Sequence, residues 1–360
     1  MRGLVDRREG IRILRYPQRA ASGLAGYLVE YLPSMLFTTL WLLALRLRGR
    51  VDVIHGCNPP DLFFLLGRLA GLWGGRYVYD QHDANPELAA TKWGASPLSG
   101  PLQGLTRALE RASYATAAAV IATNDSYAGL AMARGGVASE RIAVVRNAPP
   151  GDRFRMLAAG VEPPTDGSFR IGYLGVMGSQ DGVDLLLDAI ARVRTLAPGL
   201  ALHVDLIGDG EARHGLAARA DDLGISDRVT FHGYRPPETF VPLLAAEHVC
   251  VSPDPPTPFN DVSTMTKVVE YLAIGRPVVA FDLAETRSVI GPAGVIVTEP
   301  TADALAAALA ALATDRHRLA ELTALATHRL DVIDLRWERS AERLLAAYGD
   351  VLAGPETGTT

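Results

Sequence analysis

From residue 170 onward the chain alternates short apolar runs with amphipathic stretches. The runs are rich in Val and Ile, and each ends near a Gly or a Pro. Strands of this kind, separated by helices, are typical of a parallel sheet that is covered by helices on both faces. The sequence therefore predicts a doubly wound α/β domain with strands at 170–175, 202–208, 229–233, 249–253, 277–281 and 294–297.

The residues before 150 repeat this rhythm. Strands are predicted there at 11–16, 51–55, 77–79, 119–123 and 142–145. We therefore predict two Rossmann-like domains, at 1–150 and 169–335, that face each other across a cleft. Pro and Gly residues between them predict a linker at 151–168. A final helix at 336–351 can cross back onto the first domain, and the tail 354–360 is expected to be disordered.

Net charge and cysteine content argue against several classes of protein. The 35 basic residues are outnumbered by 40 acidic ones, which gives a formal charge of −5. This balance argues against a nucleic-acid-binding protein. The two cysteines, Cys57 and Cys250, lie far apart in separate apolar runs. They are predicted to be buried thiols in a reducing compartment, and no His, Cys and Asp group has the spacing of a metal site along the chain.

The first fifty residues indicate a cytoplasmic protein that can touch a membrane surface. Residues 1–10 lack the apolar core of a signal peptide, and the uncharged stretch 31–45 is too short to span a bilayer. Three arginines follow this stretch. A helix with such a basic end predicts peripheral contact, through 31–50, with the inner face of the plasma membrane. The alternative is a helix that packs on the sheet.

The strongest local signal lies between residues 258 and 280. Ser263 or Thr264 is predicted to cap a helix that runs to about residue 274. The first N–H groups of such a helix, including those of Met265 and Thr266, have no partner within the helix. A helix start of this kind attracts phosphate.

Lys267 and Glu270 are three residues apart and therefore share one face of this helix. Lys267 is one of only two lysines in the chain, with Lys92. The pattern predicts a nucleoside-diphosphate site in which the N–H groups and Lys267 bind the phosphates and Glu270 accepts from ribose hydroxyls. A solvated ion pair on a surface helix is the alternative.

This stretch resembles the donor-site signature of retaining, GT-B-fold glycosyltransferases of family 4, which ends in Glu-Tyr-Leu-Ala-x-Gly-x-Pro-Val-Val. The resemblance covers about residues 10–350. It implies transfer of a sugar from a nucleotide sugar, with retention of the anomeric configuration and without a cofactor or an essential metal. It also implies that Glu270, the second Glu of the family's Glu-x7-Glu motif, holds the ribose. Further matching motifs are Tyr173-Leu-Gly, Leu206-Ile-Gly-Asp-Gly, Val229-Thr-Phe-His-Gly-Tyr234, Val144-Val-Arg-Asn147, Cys57-Asn-Pro-Pro-Asp61 and Tyr79-Asp-Gln-His-Asp-Ala-Asn-Pro-Glu87.

Three positions depart from the family pattern. Val262 stands where the first Glu of the motif is expected, and Asp261 or Asn260 can substitute for it. The family's Arg and Lys after the first strand of this domain appear here as Val176 and Asp181. We expect Lys267 to replace the missing charge, and N–H groups of the loop at 175–182 to supply the remaining contacts as an anion-binding nest. An ordinary tight turn is the alternative, and the candidate nucleotide contacts outside the helix are Gly175, Gly178 and Tyr234.

In the first domain His82 is the candidate that contacts the transferred sugar, as a His does in similar enzymes. Together with Lys267 and Asp261 it makes up the predicted catalytic set. A general base is not required, since the leaving phosphate can take the proton of the acceptor. The alternative for His82 is that it only satisfies a turn. The acceptor-side candidates are Asn58, Asp61, Asp83 and Glu87, and a structural role is the alternative for Asn58, Asp61 and Glu87.

Similar enzymes begin with a strand, a Gly-rich acceptor loop and a helix ahead of the segment that matches 11–16. Only ten residues precede that segment here, so the first domain is expected to be truncated by a misassigned start codon. The function predicted is a glycosyltransferase that delivers a sugar to a cell-surface polysaccharide, a glycolipid or a lipid-linked acceptor. The alternatives are a catalytically inactive nucleotide-sugar-binding partner subunit and another GT-B enzyme such as a nucleotide-sugar epimerase.

Overall fold

The structure is a computed structural model that describes residues 5–17, 23–94 and 96–354. The chain divides into two compact units. The first unit holds residues 1–89, 93–144 and 344–360, and the second holds 90–92 and 145–343. Both contain parallel sheets with helices between the strands, which confirms the predicted α/β class. The described residues end at Gly354, so the rest of the predicted tail, 355–360, lies outside them.

The described chain begins with a hairpin of β1 (Val5–Arg8) and β2 (Ile11–Leu14), which pair antiparallel. Glu9 and Gly10 form its turn with φ angles of 49° and 83°, and two positive φ values suit a two-residue hairpin turn. The prediction that 11–16 joins the parallel sheet is therefore wrong. The Glu-Gly turn folds this strand back on its predecessor instead.

The sheet of the first unit has four parallel strands. They are β3 (Val53–Cys57), β4 (Arg76–Gln81), β5 (Ala119–Ala122) and β6 (Ile142–Val144), in that spatial order. The helices of this part of the chain are α1 (Gly23–Arg48), α2 (Phe64–Gly71), α3 (Asn85–Trp93), α4 (Ser99–Thr116) and α5 (Asp125–Gly135). Every residue of β5 is buried, as expected for an inner strand that is covered on both faces.

The second unit begins with α6 (Gly151–Ala158) and contains a six-stranded parallel sheet. Its strands are β7 (Phe169–Leu174), β8 (Leu202–Ile207), β9 (Val229–Gly233), β10 (Val249–Ser252), β11 (Val278–Phe281) and β12 (Gly294–Val297). All six predicted strands are present, and their spatial order is β12-β11-β10-β7-β8-β9.

Helices cover this sheet because its strands are apolar on both faces. All residues of β10 and β11 are buried. The helices are α7 (Val183–Leu196), α8 (Arg213–Asp222), α9 (Pro237–Ala245), α10 (Pro258–Val262), α11 (Thr266–Ala273), α12 (Ala284–Ile290), α13 (Ala302–Thr314), α14 (Arg316–Val332) and α15 (Trp337–Ala353), of which the residues of α15 from 344 onward belong to the first unit.

The segment predicted as a linker contains α6. Phe154 on this helix is 3% exposed, and its ring meets that of Phe240 edge to face with 5.8 Å between centroids. An aromatic pair of this kind anchors the helix to the second unit. The Pro and Gly residues of the segment therefore flank a packed helix.

Candidate functional site

The strand order of the second unit reverses between β7 and β10, which lie side by side. Ligands of open α/β sheets bind at such a switch point, beyond the carboxyl ends of the strands. The loop at 175–182 follows β7, and the segment at 253–257 follows β10. Side chains at this place are therefore the best candidates for contact with a ligand.

Backbone segments approach each other closely at the switch point. A Cβ atom on Gly182 would collide with the carbonyl oxygen of Pro253, and one on Gly208 would collide with that of Gly175. Both glycines also have positive φ angles, of 68° and 134°, which other residues rarely adopt. These contacts hold the loops after β7, β8 and β10 together as one rigid group.

Lys267 lies in the first turn of α11 and is buried against these loops. Its Nζ is 2.7 Å from Oδ1 of Asp254, 4.0 Å from Oδ1 of Asp181 and 5.0 Å from the ring centroid of Tyr173. Burial opposes the charge, but Asp254 together with Tyr173 and Asp181 outweighs it and raises the pKa of Lys267 above its ordinary value. The ammonium group is therefore charged and held in one position.

Helix α11 begins at Thr266, with Met265 at the N-cap position and no capping side chain. The prediction that Ser263 or Thr264 caps this helix is wrong. The Ser263 hydroxyl donates to a carbonyl of α10, and the Thr264 hydroxyl donates to Glu285. Since no side chain caps α11, its first N–H groups are suited to an anion.

Glu270 lies one turn after Lys267 on α11 and is half-buried. Burial raises its pKa to about 7, and the positive charge of Lys267 opposes this rise. Near neutral pH the carboxyl group therefore exchanges between the acid and the carboxylate. The carboxylate form accepts hydrogen bonds only, which suits a pair of hydroxyl donors.

The N–H groups of two predicted loop residues are already bonded within the protein. That of Gly175 donates to the carbonyl of Ile207 over 3.0 Å, and that of Gly178 donates to Oδ2 of Asp181 over 2.9 Å. This corrects the expectation that these two groups form a nest for the diphosphate. Asp181 instead closes the loop on itself, with a pKa that burial raises.

The candidates to replace the family's first Glu hold loops together. Asn260 is 2% exposed, and its amide nitrogen donates to the carbonyls of Gln180 and Pro255. Oδ1 of the exposed Asp261 accepts from the N–H of Ala284 over 2.9 Å. These contacts favour a structural role for Asn260, whereas Asp261 keeps an exposed carboxylate.

Tyr234 follows the carboxyl end of β9, which is an edge strand separated from β7 by β8, and it is 76% exposed. The preceding residue, Gly233, accepts from the N–H of Gly208 over 3.0 Å. A contact between Tyr234 and a nucleotide stays a prediction.

Two acceptor-side candidates of the first unit are buried and bonded within it. The amide of Asn58 donates to the hydroxyl of Tyr79 and to the carbonyl of Asp83, and its oxygen accepts from the N–H of His82 over 2.6 Å. Asp61 accepts from the hydroxyl of Tyr79 over 2.6 Å. Asn58 and Asp61 therefore shape the loops after β3 and β4, which is the structural alternative considered for them.

Glu87 has a strong partner in the same unit. Its carboxylate forms an ion pair with Arg134, which also reaches Glu110 over 3.5 Å. This pair joins α3 to α5 and α4. Glu87 is thus part of a helix-to-helix network, and Asp83, which is half-buried, follows His82 in the loop.

His82 belongs to a group of side chains around one oxygen atom, which we call the Asp80 cluster. Oδ2 of Asp80 lies 2.9 Å from Nε2 of His55, 3.0 Å from Nε2 of His82 and 3.4 Å from Sγ of Cys57. The hydrogen bond to Asp80 raises the pKa of His55 to about 9 and that of His82 to about 10. The hydrogen bond with His55 lowers the pKa of the Cys57 thiol. Cys57 is exposed at the end of β3, so the prediction that it is buried is wrong.

Sequence reasoning did not find Asp254 or the Asp80 cluster. Asp254 comes directly after the predicted strand 249–253, which corresponds to β10. Its place at the carboxyl end of a strand could have identified it as a site residue. The Asp80 cluster depends on sheet register, because β3 and β4 pair Cys57 with Asp80 and place His55 two residues earlier. Spacing along the chain does not show this convergence.

Comparison with known families matches both halves of the chain to glycosyltransferases. Residues 2–148 match the family described as "Glycosyl transferase 4-like domain", and residues 168–315 match "Glycosyl transferases group 1". A D-inositol 3-phosphate glycosyltransferase from Rhodococcus erythropolis is 31% identical over 219 residues, which cover 58% of this chain and 47% of that protein. The protein of the same name from Corynebacterium urealyticum is 28% identical over 382 residues, which cover 99% of this chain and 84% of that one.

Solved structures share the fold at low sequence identity. Sucrose-phosphate synthase from Thermosynechococcus elongatus has a TM-score of 0.72 and 20% identity, over 98% of this chain and 86% of that one. Anabaena Alr3699/HepE in complex with UDP and glucose has a TM-score of 0.60 and 22% identity, over 82% of this chain and 78% of that one. The chain thus shares its α/β fold with these solved structures.

Proposed function

Because the chain belongs to the group 1 glycosyltransferases, with a first domain of the 4-like type, we propose that it transfers a sugar from a nucleoside-diphosphate sugar to a glycan or lipid-linked acceptor. The transfer retains the anomeric configuration and needs no essential metal. The acceptor is a cell-surface polysaccharide or a glycolipid precursor at the inner face of the plasma membrane.

The observation that carries this proposal is the buried, charged Lys267 at the switch point of the second sheet. Negative charge grows on the diphosphate as its bond to the sugar breaks. A cation that is already fixed in a site with little water stabilises that charge without reorganisation. The uncapped start of α11 adds N–H donors beside it.

The ammonium group of Lys267 has more N–H donors than its hydrogen bond to Asp254 uses, so it can also donate to phosphate oxygens. It carries three N–H donors, and Asp254 accepts from one of them at 2.7 Å. Asp181, 4.0 Å away, adds a second negative charge close to the proposed diphosphate position. This carboxylate opposes the anion, so its removal provides a direct test of the site.

The remaining roles follow from the chemistry of retaining transfer. Glu270 accepts from the ribose hydroxyls, Asp261 replaces the family's first Glu at the donor sugar, and His82 donates to the transferred sugar. A phosphate oxygen of the leaving diphosphate takes the proton of the acceptor hydroxyl. Proton transfer is then complete without a side-chain base.

The structural neighbour that was solved with UDP and glucose makes UDP the first nucleotide to test. The names of the curated relatives make a phosphorylated polyol the first soluble acceptor to test. Neither choice is needed for the diphosphate site itself, since Lys267 and α11 would contact phosphates and not the base.

An apolar stripe on α1 supports the proposed membrane contact. None of the helices in the described ranges combines the length and apolarity that a bilayer crossing requires. Arg46 and Arg48 lie in the last turn of α1, where they can meet anionic headgroups. The exposed stripe recurs every three or four residues and therefore follows one helix face; its members are Val29, Leu32, Leu36, Leu40, Leu43 and Leu47.

The two lysines of the chain provide a matched test of the donor site. Lys267→Met should lower sugar turnover from UDP-glucose or another nucleotide sugar by about 10²–10³-fold, because one preorganised donor to the leaving group is lost. Lys92, which is exposed on α3, serves as the control, and Lys92→Met should retain activity. Equal effects of the two substitutions would refute the proposal, and nucleotide binding without any turnover would favour an inactive binding subunit.

The membrane contact is tested with vesicles. The protein should sediment with phosphatidylglycerol vesicles and not with phosphatidylcholine vesicles, and Leu36→Glu should abolish this binding by placing a charge in the apolar stripe. Leu196→Glu changes an exposed leucine at the end of α7 and is the control. Binding that survives Leu36→Glu would show that α1 does not face the lipid.

A further inference from the structure

We propose that the Asp80 cluster is a binding site for a divalent transition-metal cation of the zinc type, held by Nε2 of His55, Sγ of Cys57 and Oδ2 of Asp80. The site lies at the carboxyl ends of β3 and β4, within the first unit. The residues proposed to bind the diphosphate, Lys267 and the first turn of α11, belong to the second unit. A role for the cation in sugar transfer is not part of the proposal.

The first argument is that three ligand atoms of different residues already converge. All three lie within 4.8 Å of one another. Adjacent strands create this arrangement, since Cys57 is paired with Asp80 across β3 and β4, and His55 lies two residues earlier on the same face of β3. Strands are rigid supports, so the site does not depend on a loop to assemble it.

The second argument is that the distances are close to those of a zinc site. Tetrahedral zinc with bonds of about 2.0 Å to nitrogen and oxygen and about 2.3 Å to sulfur places N and O about 3.3 Å apart, and S and O about 3.5 Å apart. Here Nε2 of His55 is 2.9 Å from Oδ2 of Asp80, and Sγ of Cys57 is 3.4 Å from it. Both distances to Oδ2 of Asp80 therefore lie within about half an ångström of the values for tetrahedral zinc.

The third argument is the chemistry of the donor set. One imidazole nitrogen, one thiolate and one carboxylate oxygen suit zinc and its neighbours in the transition series, whereas magnesium and calcium prefer oxygen ligands alone. Without a cation, the His55 imidazole and the Cys57 thiol each direct a hydrogen bond at Oδ2 of Asp80. A single cation would replace those protons, and its binding would release them to solvent.

Tyr348 on α15 orients the imidazole for this task. Its hydroxyl lies 2.7 Å from Nδ1 of His55, and the two rings stack with centroids 5.9 Å apart. When Nδ1–H donates a hydrogen bond to this hydroxyl, the lone pair of Nε2 is directed at the cation. Hydrogen-bond partners of zinc-bound histidines commonly fix the imidazole in this way. Tyr348 is therefore a positioning residue of the proposed site.

Cobalt titration of the reduced full-length protein tests the site, because Co²⁺ is a coloured substitute for zinc. One equivalent of Co²⁺ should produce a sulfur-to-cobalt charge-transfer band, Zn²⁺ should displace it and Mg²⁺ should not. The chain has only two cysteines, which makes the control direct. The band should be absent in Cys57→Ser and retained in Cys250→Ala, since Cys250 is fully buried in the second unit.

Two further variants keep the test independent of a folding defect. Tyr348→Phe retains the three ligands and should weaken cobalt binding by about 10-fold or more, with an unchanged circular dichroism spectrum. Asp80→Asn should weaken it further, because a neutral amide replaces the anionic ligand. The proposal is overturned if the wild-type protein gives no charge-transfer band, or if the band survives Cys57→Ser.

Discussion

Two aspartates at strand ends, Asp254 in the second unit and Asp80 in the first, each gather cationic side chains in different surroundings. The Asp254 side chain is 2% exposed and meets one buried ammonium group, that of Lys267. Asp80 is more accessible and meets two imidazoles, of which that of His82 is 38% exposed. Asp254 and Lys267 are buried and cannot readily change partners. The side chains of the Asp80 cluster, in contrast, can exchange protons with solvent or accept a cation.

The buried Asp254–Lys267 pair and the accessible Asp80 cluster are therefore suited to different chemistry. A charge fixed among rigid loops is preorganised to stabilise a leaving group, and the surrounding structure has already overcome the cost of burying it. An accessible group of nitrogen, sulfur and oxygen ligands is suited to reversible binding. The following predictions test the contrast, beginning with the largest expected effect.

Asp254→Ala should destabilise the protein by about 3–5 kcal/mol, because it leaves the Lys267 ammonium buried without its closest partner. Asp80→Ala should cost only about 1 kcal/mol, since its histidines can be solvated. Urea unfolding followed by circular dichroism measures both. Equal losses of stability would remove the proposed contrast between a fixed and an open cluster.

Glu270→Ala should weaken UDP binding by about 10–100-fold, because hydrogen bonds from the ribose hydroxyls to a carboxylate are lost. Inorganic pyrophosphate has no ribose and should bind this variant as it binds the wild type. Lys267→Met, in contrast, should weaken both ligands. Calorimetric titration distinguishes these patterns, and weaker pyrophosphate binding to Glu270→Ala would place this residue at the phosphates.

Asp181→Asn should strengthen UDP binding by about fivefold, since it removes a negative charge near the proposed diphosphate position, an interaction of about 1 kcal/mol in an aqueous setting. The asparagine oxygen can still accept from the N–H of Gly178. Asp184→Asn, at an exposed position in the first turn of α7, is the control. An unchanged or weaker affinity in Asp181→Asn would argue that the diphosphate binds elsewhere.

The smallest expected effect is a pH dependence. Because burial raises the pKa of Glu270 to about 7, the carboxylate fraction grows as the pH rises from about 6 to about 8. UDP affinity of the wild type should rise several-fold more over this range than that of Glu270→Gln, which cannot ionise. Ionisation of UDP itself affects both proteins alike, so parallel pH profiles would contradict the assignment.

The periodicity of the sequence was sufficient to predict the six strands of the second unit. Its six strands are short, apolar and bounded by Gly or Pro, and each forms where it is expected. The hairpin at the start was mispredicted because a Glu-Gly turn was not recognised between its two exposed strands. The helix in the predicted linker was missed because its anchor, Phe154, packs on Phe240 from a distant helix.

The candidate site, like the fold, was predictable from the sequence only in part. Lys267 and Glu270 stood out because a rare lysine and a glutamate share one face of a helix that follows a strand. Their electrostatic surroundings depend on contacts between loops that are far apart in sequence, such as that of Lys267 with Asp254. For the same reason the N–H groups of Gly175 and Gly178 looked available in the sequence, although the folded loops use both.

The central claim is that the buried ammonium group of Lys267 and the start of α11 bind a diphosphate. A crystal structure of the protein with UDP tests it most directly. We expect phosphate oxygens within hydrogen-bond distance of Nζ of Lys267 and of the first N–H groups of α11, with the ribose hydroxyls at Glu270. A diphosphate bound away from the switch point, without a contact to Nζ of Lys267, would contradict the account.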